Sequence, residues 1–443
     1  MSESPHRRPP LPLPKTPPPG PFRQDSWKSP LRGPWLASFL ASLLLPLIVV
    51  CALTGFLSHW AYDPDLGRNS SIGRPSGPWD LYFGSWPSGP AYLYVVTQGL
   101  HVISGLAALP ILFAKLWAVI PQLFEWPPVR SLAHGLERLG LALLVGGSLF
   151  VFFTGIMNIQ IYYPWSGRFS FIPAHYYGAF LFLAALGLHV ALKLPIARRA
   201  FRERGVVGPL RESRAQTTVE PPAPGERPGE WGGSSAPSAP AEPTISRRGL
   251  VGLVAGSSVG LAIMGIGQVV GGPLRPLSLL GPRRQNIDDG PNGFQVNKTA
   301  RRAGITPEKT GASWRLELTG PREVALSRDE LLAMPQHTET LPIACVEGWS
   351  TTQEWTGVRL RDLAAMAGVE GEPGTLRVQS IQGGTLGTVV LNPGIVQNPR
   401  SLLALRVNGA DLSPDHGFPA RVIAPAIPGV HCTKWVAQLT FQA

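Results

Sequence analysis

The segment Ala344-Cys345-Val346-Glu347-Gly348-Trp349-Ser350 contains the residue on which the interpretation of fold and function depends. Cys345 is one of three cysteines in 443 residues; Cys51 lies in an apolar run, and no Cys-x-x-Cys pair is present. We therefore expect no disulfide framework, zinc site or iron–sulfur cluster. A lone thiolate beside a tryptophan, in a Gly-rich region that carries Arg and Lys, suits one bond to a soft metal. The alternative is a buried, inert cysteine, which is the commoner situation for a single thiol.

The composition indicates that much of the chain avoids water. Charged residues make up 15% of the sequence, whereas soluble domains contain about a quarter, and the mean hydropathy is +0.09. A net charge of +11 could indicate a nucleic-acid partner. The Lys and Arg residues cluster beside apolar runs, however, where they determine membrane topology. We therefore predict no nucleic-acid partner.

Five apolar stretches approach or exceed the roughly 20 residues that span a bilayer, namely residues 35–59, 92–120, 139–161, 175–196 and 249–271. Basic residues dominate the N-terminal tail and the segment after the fourth stretch, and both are therefore predicted to be cytoplasmic. The loop after the first stretch is acidic, with Asp63, Asp65 and Asp80. The chain is thus predicted to cross the cytoplasmic (inner) membrane five times, in contact with lipid, with an extracytoplasmic C-terminal region.

Shifts in composition divide the chain into five segments. Residues 1–34 are Pro-rich and basic, and residues 201–245 are rich in Pro, Gly, Ser, Ala and Glu, so both are predicted to be disordered. Residues 35–200 are predicted to form an all-α four-helix membrane bundle, and residues 246–271 a fifth, anchoring helix. Residues 272–443 combine alternating apolar patterns with many Gly and Pro turns, which predicts a strand-rich α+β domain.

The fifth apolar stretch begins with Ser246-Arg247-Arg248-Gly249-Leu250. Adjacent arginines before a moderately apolar run resemble a twin-arginine export signal, which implies the twin-arginine export machinery as a partner. Such export would suit a domain that folds around a bulky cofactor in the cytoplasm. The alternative is that these are two positive-inside arginines and nothing more.

Five of the nine histidines lie within or at the edge of the first four apolar stretches, namely His59, His101, His134, His175 and His189. An imidazole in hydrocarbon is costly and is usually functional. His175 and His189 are 14 residues apart, which places them on one helix face about 21 Å apart along the axis. Histidines on facing helices are the expected axial ligands of low-spin b haems. The alternative for any one of them is an interfacial histidine bonded to a carbonyl.

This histidine pattern resembles the four-helix b-type cytochrome membrane subunits of formate dehydrogenases and hydrogenases. The resemblance implies that His101 and His175 hold one haem near the outer face and that His189 binds a second, inner haem. The family has a histidine near the inner end of its first helix, whereas His59 lies at the outer end. His134 is our substitute for the missing inner ligand. A single haem, or His59 with His175 as the outer pair, is the alternative.

Two segments of the C-terminal region resemble enzymes of the sulfite-oxidase fold, which bind molybdenum through molybdopterin. The segment from Ala344 to Ser350 resembles their metal-ligand loop, and most resembles that of the catalytic subunit of periplasmic methionine-sulfoxide reductase. The segment His416-Gly417-Phe418-Pro419-Ala420-Arg421, followed by Pro425, Gly429 and Lys434-Trp435, resembles the loop that binds the pterin phosphate. Together the two matches cover most of residues 285–443. The resemblance implies an extracytoplasmic molybdopterin domain behind the cytochrome-like bundle.

The same resemblance assigns roles to individual residues. Cys345 would be the catalytic thiolate ligand of molybdenum. Arg421 offers a planar fork and Lys434 a point charge to the phosphate. The residues that would line the pterin are His416, Cys432 and Thr433, and more weakly Asn292 and Ser380.

A departure from the family pattern bears on the substrate. Sulfite oxidases follow their cysteine with a Gly-Asn-Arg-Arg-like segment that favours a sulfur oxyanion, whereas Cys345 is followed by Val346, Glu347 and Gly348. We therefore expect a small-molecule or protein-bound sulfoxide, such as methionine sulfoxide, reduced by electrons from quinol through one or two b haems. The alternatives are a sulfite-oxidase-like dehydrogenase that reduces quinone, and a haem-only electron conduit whose outer domain is a binding module.

Overall fold

The structure, a computed structural model, describes residues 17–62, 84–129, 131–160, 162, 164, 171–221, 236–279, 281, 290–384 and 387–442. Five of its helices are long and apolar enough to cross a membrane, as predicted. They are α1 (Pro34–Trp60), α2 (Leu93–Leu123), α3 (Leu132–Gln160), α4 (Phe171–Arg204) and α5 (Arg247–Val270). The acidic loop with Asp63, Asp65 and Asp80 lies outside the described residues.

All five long helices present large apolar side chains to their surroundings. Leu53, Phe113, Leu139, Leu188 and Leu253 are each more than half exposed, and each belongs to a different helix. Monomeric soluble proteins rarely expose so many large apolar residues on long helices. Each of these helices has 24 to 34 residues, more than the roughly 20 residues that span the hydrocarbon core of a bilayer. Their exposed apolar surfaces therefore suit a lipid environment.

The chain divides into two compact units, and the long helices contribute to both. The first unit consists of residues 1–46, 108–149 and 180–258, and the second of residues 47–107, 150–179 and 259–443. These units differ from the predicted segments, because the second unit combines parts of the helical region with the whole strand-rich region.

In the first unit, the prediction of a disordered tail over residues 1–34 is wrong for residues 17–34. Phe22 packs edge-on against Phe124 at 5.5 Å between ring centres. The Arg32 guanidinium lies over the Trp117 ring at 4.4 Å and donates to the Trp117 carbonyl. The aromatic residues interleaved with the prolines supply the apolar surface that orders this part. Residues 1–16 lie outside the described residues.

The prediction of a disordered linker over residues 201–245 is wrong for residues 201–221. Helix α4 extends to Arg204, and a 3₁₀ turn follows at Gly208–Leu210. Glu220 is buried and its carboxylate accepts from the Trp35 backbone N–H at 2.6 Å, which satisfies a free donor at the start of α1. Arg247 holds the same carboxylate, so two buried charges order the segment. Residues 222–235 lie outside the described part.

The strand-rich region has the predicted α+β character. Its short helices are α6 (Ala300–Ala303), α7 (Pro307–Thr310), α8 (Arg328–Ala333), α9 (Leu360–Met366) and α10 (Pro393–Gln397). Its strands are β1 (Leu316–Thr319), β2 (Glu323–Leu326), β3 (His337–Ala344), β4 (Ser350–Arg359), β5 (Leu376–Ser380), β6 (Thr388–Leu391), β7 (Leu402–Val407), β8 (Ala410–Asp411), β9 (Arg421–Ile423) and β10 (Val436–Phe441).

The strands form two five-stranded sheets. One has the order β2-β1-β10-β5-β6, with β1 and β10 parallel and the other pairs antiparallel. The other has the order β3-β4-β7-β8, with β9 also paired to β7. Strands β7 and β9 are almost entirely buried, which identifies them as core strands. The core they form also includes Tyr62, Trp86 and Tyr94 from the helical part of the second unit.

Candidate functional site

Cys345 begins a tight connection between two antiparallel strands. Ala344 at the end of β3 pairs with Ser350 at the start of β4, so residues 345–349 form the hairpin loop. The Cys345 N–H donates to the Trp349 carbonyl and the Gly348 N–H donates to the Cys345 carbonyl. Gly348 has φ +80°, a conformation that side chains disfavour. These bonds fix the backbone that carries the buried Cys345 thiol.

The Glu347 side chain is held within the loop that follows Cys345. Its side chain is buried and its carboxylate accepts from the Trp349 indole N–H at 2.8 Å. The bond satisfies the indole donor and holds the carboxylate within the loop.

A cleft opens beside this loop and encloses about 650 Å³, counting the part open to solvent. Its lining includes six predicted site residues, which are Cys345, His416, Arg421, Cys432, Thr433 and Lys434. The cleft thus brings together the two sequence segments that predicted it.

Arg421 stands at the start of β9 and is 5% exposed. Its two terminal nitrogens donate to the carbonyls of His416 and Cys432, at 3.0 and 3.1 Å, and its guanidinium lies over the Trp355 ring. The Nε atom is buried and has no hydrogen-bond partner among the described residues. Burial lowers the pKa of Arg421 to about 10. The guanidinium stays charged and retains one donor for a ligand.

Lys434 is the second buried cation of the cleft, with 9% exposure. Its Nζ donates to Asn297 Oδ1 and to the carbonyls of Lys298 and Asp415, at 3.0, 2.6 and 2.9 Å. Burial lowers the pKa of Lys434 to about 7, and Arg421 acts in the same direction.

The two buried cations of the cleft form no ion pair within the part of the chain that the structure describes. Among the residues that the structure describes, no carboxylate forms an ion pair with Arg421 or Lys434. Buried cations are usually paired, so this arrangement is suited to an anionic ligand. A terminal phosphate of a pterin has that chemistry.

His416 is buried in the cleft in its neutral form. Burial lowers its pKa to about 3, and the charges of Arg421 and Lys434 act in the same direction. Its ring stacks on Phe294 at 3.7 Å, and its Nε2–H donates to the Asn292 carbonyl at 2.9 Å. The left-handed Gly417 follows with φ +113°, and a Cβ there would lie 3.1 Å from Arg421 and Lys434. His416 therefore fixes the wall of the cleft, and the glycine lets the cations approach.

Two weaker predictions do not contribute to the lining. Asn292 donates to the Asp411 carbonyl and accepts from the Ser413 N–H, so its amide holds the turn before His416. The Ser380 hydroxyl donates to the Lys434 carbonyl at 2.7 Å. Both side chains use their hydrogen-bonding groups on backbone atoms next to the cleft, so they position cleft residues and do not line the cleft themselves.

Cys432 and Thr433 lie in the cleft as predicted. Burial raises the pKa of the Cys432 thiol, although Arg421 opposes the shift. Cys432 is therefore a protonated wall residue that offers its carbonyl to Arg421.

Sequence reasoning missed several polar residues of the lining. Asn297 and Lys298 come from the segment before α6, and Gln382 comes from the loop after β5. Lys298 Nζ donates to Gln382 Oε1 at 3.0 Å, which joins the two segments. Their separation in sequence left no motif that could identify them.

The structure brings the rings of His101 of α2 and His175 of α4 together in the second unit, with ring centres 6.0 Å apart and the ring planes at 78° to each other. Two imidazoles that bind one metal ion through bonds of about 2 Å have centres roughly 6 Å apart. The Nδ1–H of His101 donates to the Cys51 carbonyl of α1 at 2.8 Å, and the Nδ1–H of His175 donates to the Val151 carbonyl of α3 at 2.9 Å. In this tautomer each Nε2 can bind a metal.

In both histidine sites a glycine of the adjacent helix makes room for the imidazole ring. A Cβ at Gly55 would lie 2.6 Å from the His101 ring, and one at Gly155 would lie 3.0 Å from the His175 ring. Each glycine follows a threonine and stands four residues after the carbonyl that holds the imidazole. The repeated Thr54-Gly55 and Thr154-Gly155 pairs were a sequence signal that we did not use.

The other histidines have different surroundings. His59 stacks on the Tyr176 ring at 3.9 Å, so the imidazole that faces His175 is His101 and not His59. His134 Nε2 lies 3.6 Å from Glu125 Oε1. His189 belongs to the first unit, as His134 does. A second haem between His134 and His189 stays a prediction.

Among the described residues, no group of three or more His, Cys, Asp or Glu side chains could hold a metal ion.

Comparisons with known proteins agree with the geometry of the cleft. Residues 303–443 match the family model of the oxidoreductase molybdopterin binding domain. The chain is 34% identical over 131 residues to the uncharacterized oxidoreductase YuiH of Bacillus subtilis, covering 29% of this chain and 65% of that protein. It is 30% identical over 173 residues to an NADH nitrate reductase of Volvox carteri, a match that covers 32% of this chain and 20% of that protein. It is 29% identical over 160 residues to the mitochondrial sulfite oxidase of Rattus norvegicus, a match that covers 30% of this chain and 29% of that protein.

The chain therefore spans less than two thirds of the length of each of these relatives. The C-terminal part of the chain matches an oxidoreductase molybdopterin-binding domain and is similar to sulfite oxidases, and the part of the chain that the structure describes includes five long apolar helices.

Proposed function

We propose that this chain is a membrane-bound molybdenum oxidoreductase that exchanges electrons between quinol and a substrate outside the cytoplasm, and that it reduces a sulfoxide such as methionine sulfoxide. The observation that carries the proposal is the cleft, where a buried cysteine lies beside two buried cations that form no ion pair with a carboxylate of the described residues.

The chain's own residues fit a molybdenum–pterin group in this cleft. Arg421 and Lys434 would bind its phosphate, Cys345 would bind the metal, and the buried walls would exclude water. The bound group would supply oxygen-atom transfer coupled to two electrons. His416 stays neutral beside these cations and so adds no further charge to the phosphate site.

The facing imidazoles support a b haem held by His101 and His175. Their Nδ1–H groups are anchored to carbonyls, which orients both rings and leaves each Nε2 for the iron. The haem would supply one-electron transfer. A second haem at His189, with His134 as its other ligand, is part of the proposal.

The loop after Cys345 favours a neutral substrate. Val346 and Gly348 carry no charge, and the Glu347 carboxylate is bonded to Trp349. Reduction of a sulfoxide breaks one S=O bond, takes up two electrons and two protons, and releases a sulfide and water. Quinol supplies both the electrons and the protons when it becomes quinone.

The reverse direction is a second candidate, because the mitochondrial sulfite oxidases are among the similar proteins. In that case the chain would oxidise its substrate and reduce quinone. A haem-only conduit with a binding module is disfavoured by the molybdopterin-domain match.

The proposed location is the cytoplasmic membrane, with the N-terminus inside and the molybdopterin domain outside. The basic segments that flank the long helices support this orientation by the positive-inside rule. Export through the twin-arginine machinery, guided by Arg247 and Arg248, would allow the domain to fold around its cofactor first.

The test is turnover of methionine sulfoxide with a reduced quinol analogue, and of sulfite with the oxidised analogue, by purified protein. Cys345→Ser should abolish both activities and leave the reduced haem spectrum unchanged. Cys432→Ser is the matched variant, because it changes another buried thiol of the same cleft, and it should retain molybdenum. Full activity in Cys345→Ser would contradict the proposal.

A further inference from the structure

The segment before helix α2 is hydrogen-bonded to the strand-rich region within the second unit. The Trp86 indole donates to the Ala426 carbonyl at 2.7 Å, and the Ala426 N–H donates to the Ala91 carbonyl at 3.0 Å. In the other direction, the side-chain amide of Asn392 donates to the Trp86 carbonyl at 3.1 Å, and that of Asn398 donates to the Ser88 carbonyl at 2.9 Å. These hydrogen bonds join segments more than 300 residues apart in sequence, and both segments contribute donors, which indicates a specific interface.

Helix α2 continues this interface along one face. Tyr94, Gln98 and Val102 are spaced by four residues and so lie on the same side of the helix. Gln98 Nε2 donates to the Val346 carbonyl, next to Cys345, at 3.2 Å. A Cβ on Gly348 would lie 3.2 Å from Val102, so the loop approaches the helix closely only because residue 348 is glycine.

Helix α5 holds the same loop from a second direction. Gln268 Nε2 donates to the Glu347 carbonyl at 2.6 Å, and the Ser350 hydroxyl donates to the Val269 carbonyl. Gln98 and Gln268 are 7% and 6% exposed. Because buried amides without partners are costly, each bond resists opening of the loop.

We propose that Gln98 of α2 and Gln268 of α5 are positioning residues that fix the Cys345 loop against the helix that carries His101. The proposal rests on the proposed function for its electron donor and acceptor. His101 follows Gln98 by three residues, which is about 4.5 Å along the helix axis. Electrons that pass between the imidazole pair and the Cys345 thiolate then travel inside one packed unit, without a mobile tethered domain.

This arrangement differs from the tethered alternative in its dynamics. A tethered domain would expose its ligand loop whenever it moved away, and electron transfer would depend on the length of the linker. A docked loop is protected from solvent unless it opens locally, so its exposure depends on the free energy of that local opening. Loss of one buried hydrogen bond should shift that equilibrium by up to about tenfold.

The experiment uses the full-length protein in detergent with Gln98→Leu, Gln268→Leu and the control Thr97→Val. Thr97 is a matched control, because it is equally buried in α2 but its hydroxyl bonds to Tyr94 within the same helix. Hydrogen–deuterium exchange reports on the amides of residues 345–350. Turnover is measured with reduced quinol and, separately, with a reduced viologen that can donate to the cleft directly.

Each glutamine variant should exchange the amides of residues 345–350 up to about tenfold faster and should lower the ratio of quinol-supported to viologen-supported turnover. The control should do neither. Unchanged exchange in both glutamine variants would overturn the proposal, as would faster exchange with an unchanged turnover ratio. Because exchange needs no turnover, a protein that lacks molybdenum or haem would refute the proposed function and still report on docking.

Discussion

Two pairs of cations in this protein, the half-buried Arg204 with the buried Arg247 and the buried Arg421 with the buried Lys434, have opposite surroundings. In the first unit, Arg247 is fully buried and lies 2.7 Å from Glu212 and 3.4 Å from Glu220, while Arg204 contacts the same two carboxylates. In the second unit, Arg421 and Lys434 contact carbonyls and an amide, and among the described residues no carboxylate pairs with them. The first pair is neutralised by the fold, and the second is suited to a bound anion.

The difference teaches how a binding site can be distinguished from a structural ion cluster. A buried charge costs free energy unless it is paired. A structural cluster contains its own counter-ions, as Glu212 and Glu220 show. A cofactor cleft leaves the counter-charge to the ligand, and among the described residues no carboxylate lies in an ion pair with Arg421 or Lys434.

The largest effect is expected for Arg247→Met, which leaves Glu220 and Glu212 without their buried cation. Breaking a buried ion pair on one side costs about 3–5 kcal/mol. Burial already raises the pKa of Glu220, against the effect of Arg247 and Arg204. The loss should therefore be smaller at acidic pH, where Glu220 is protonated. Denaturant unfolding of purified protein at pH 5 and pH 8 measures both effects.

The neighbouring Arg248→Met is the control, because Arg248 is exposed. Its unfolding free energy should stay within about 0.5 kcal/mol of the parent. Equal losses in the two variants would contradict the assignment of Arg247 to a structural cluster.

Arg421→Lys should have a smaller effect, and it should act on cofactor binding. Lysine keeps the charge but loses the planar fork that binds the two carbonyls and a ligand together. Loss of one charge-assisted hydrogen bond of about 1.5–3 kcal/mol weakens binding about ten- to hundredfold. Pterin content per purified chain, under limiting cofactor supply, measures the change. The exposed Arg406→Lys is the matched control, and an equal loss there would contradict the assignment.

The smallest effect is a pH dependence set by Lys434, whose pKa burial lowers to about 7. Lys434 is charged below that pH and neutral above it, so anion affinity should fall up to about tenfold per pH unit above 7. Sulfate is a suitable probe of cofactor-free protein, because its own charge is constant from pH 6 to 9. Lys434→Arg should remove the dependence. A slope that persists in Lys434→Arg would assign the titration to another group.

The stability of the cofactor-free protein should respond with the opposite sign. The unfolded lysine has a pKa near 10.5, so between pH 7 and 10.5 the unfolded state binds more protons than the folded state. Stability should therefore rise with pH across this window and reach its full value above it. Unfolding of cofactor-free protein at pH 7 and pH 10 would show this, and Lys434→Arg should lack the rise.

The sequence predicted those features that local patterns encode. Long apolar runs predicted the five helices, and alternation with Gly and Pro turns predicted the α+β region. Two compact motifs led to Cys345, His416, Arg421 and Lys434, because each motif brings its own cleft residues together. The resemblance to b-type cytochromes led to the pairing of His101 with His175, whose ring centres lie 6.0 Å apart.

Other features depend on contacts between distant segments, which no local pattern encodes. Asn297 and Gln382 enter the cleft from separate loops, and Gln98 reaches the Cys345 loop from a helix almost 250 residues earlier. The order of residues 201–221 arises from Glu220, whose partners Trp35 and Arg247 are remote in sequence. Composition alone could not show that a Glu in a Pro-rich segment would be buried.

The molybdenum content of the purified, full-length protein, made in cells that synthesise molybdopterin, tests the central claim most directly. One molybdenum per chain is expected, and the X-ray absorption spectrum of the metal should lose one sulfur ligand in Cys345→Ser and keep it in Cys432→Ser. A parent protein without molybdenum, or a Cys345→Ser variant whose molybdenum has the same sulfur coordination as the parent, would contradict the assignment of the cleft.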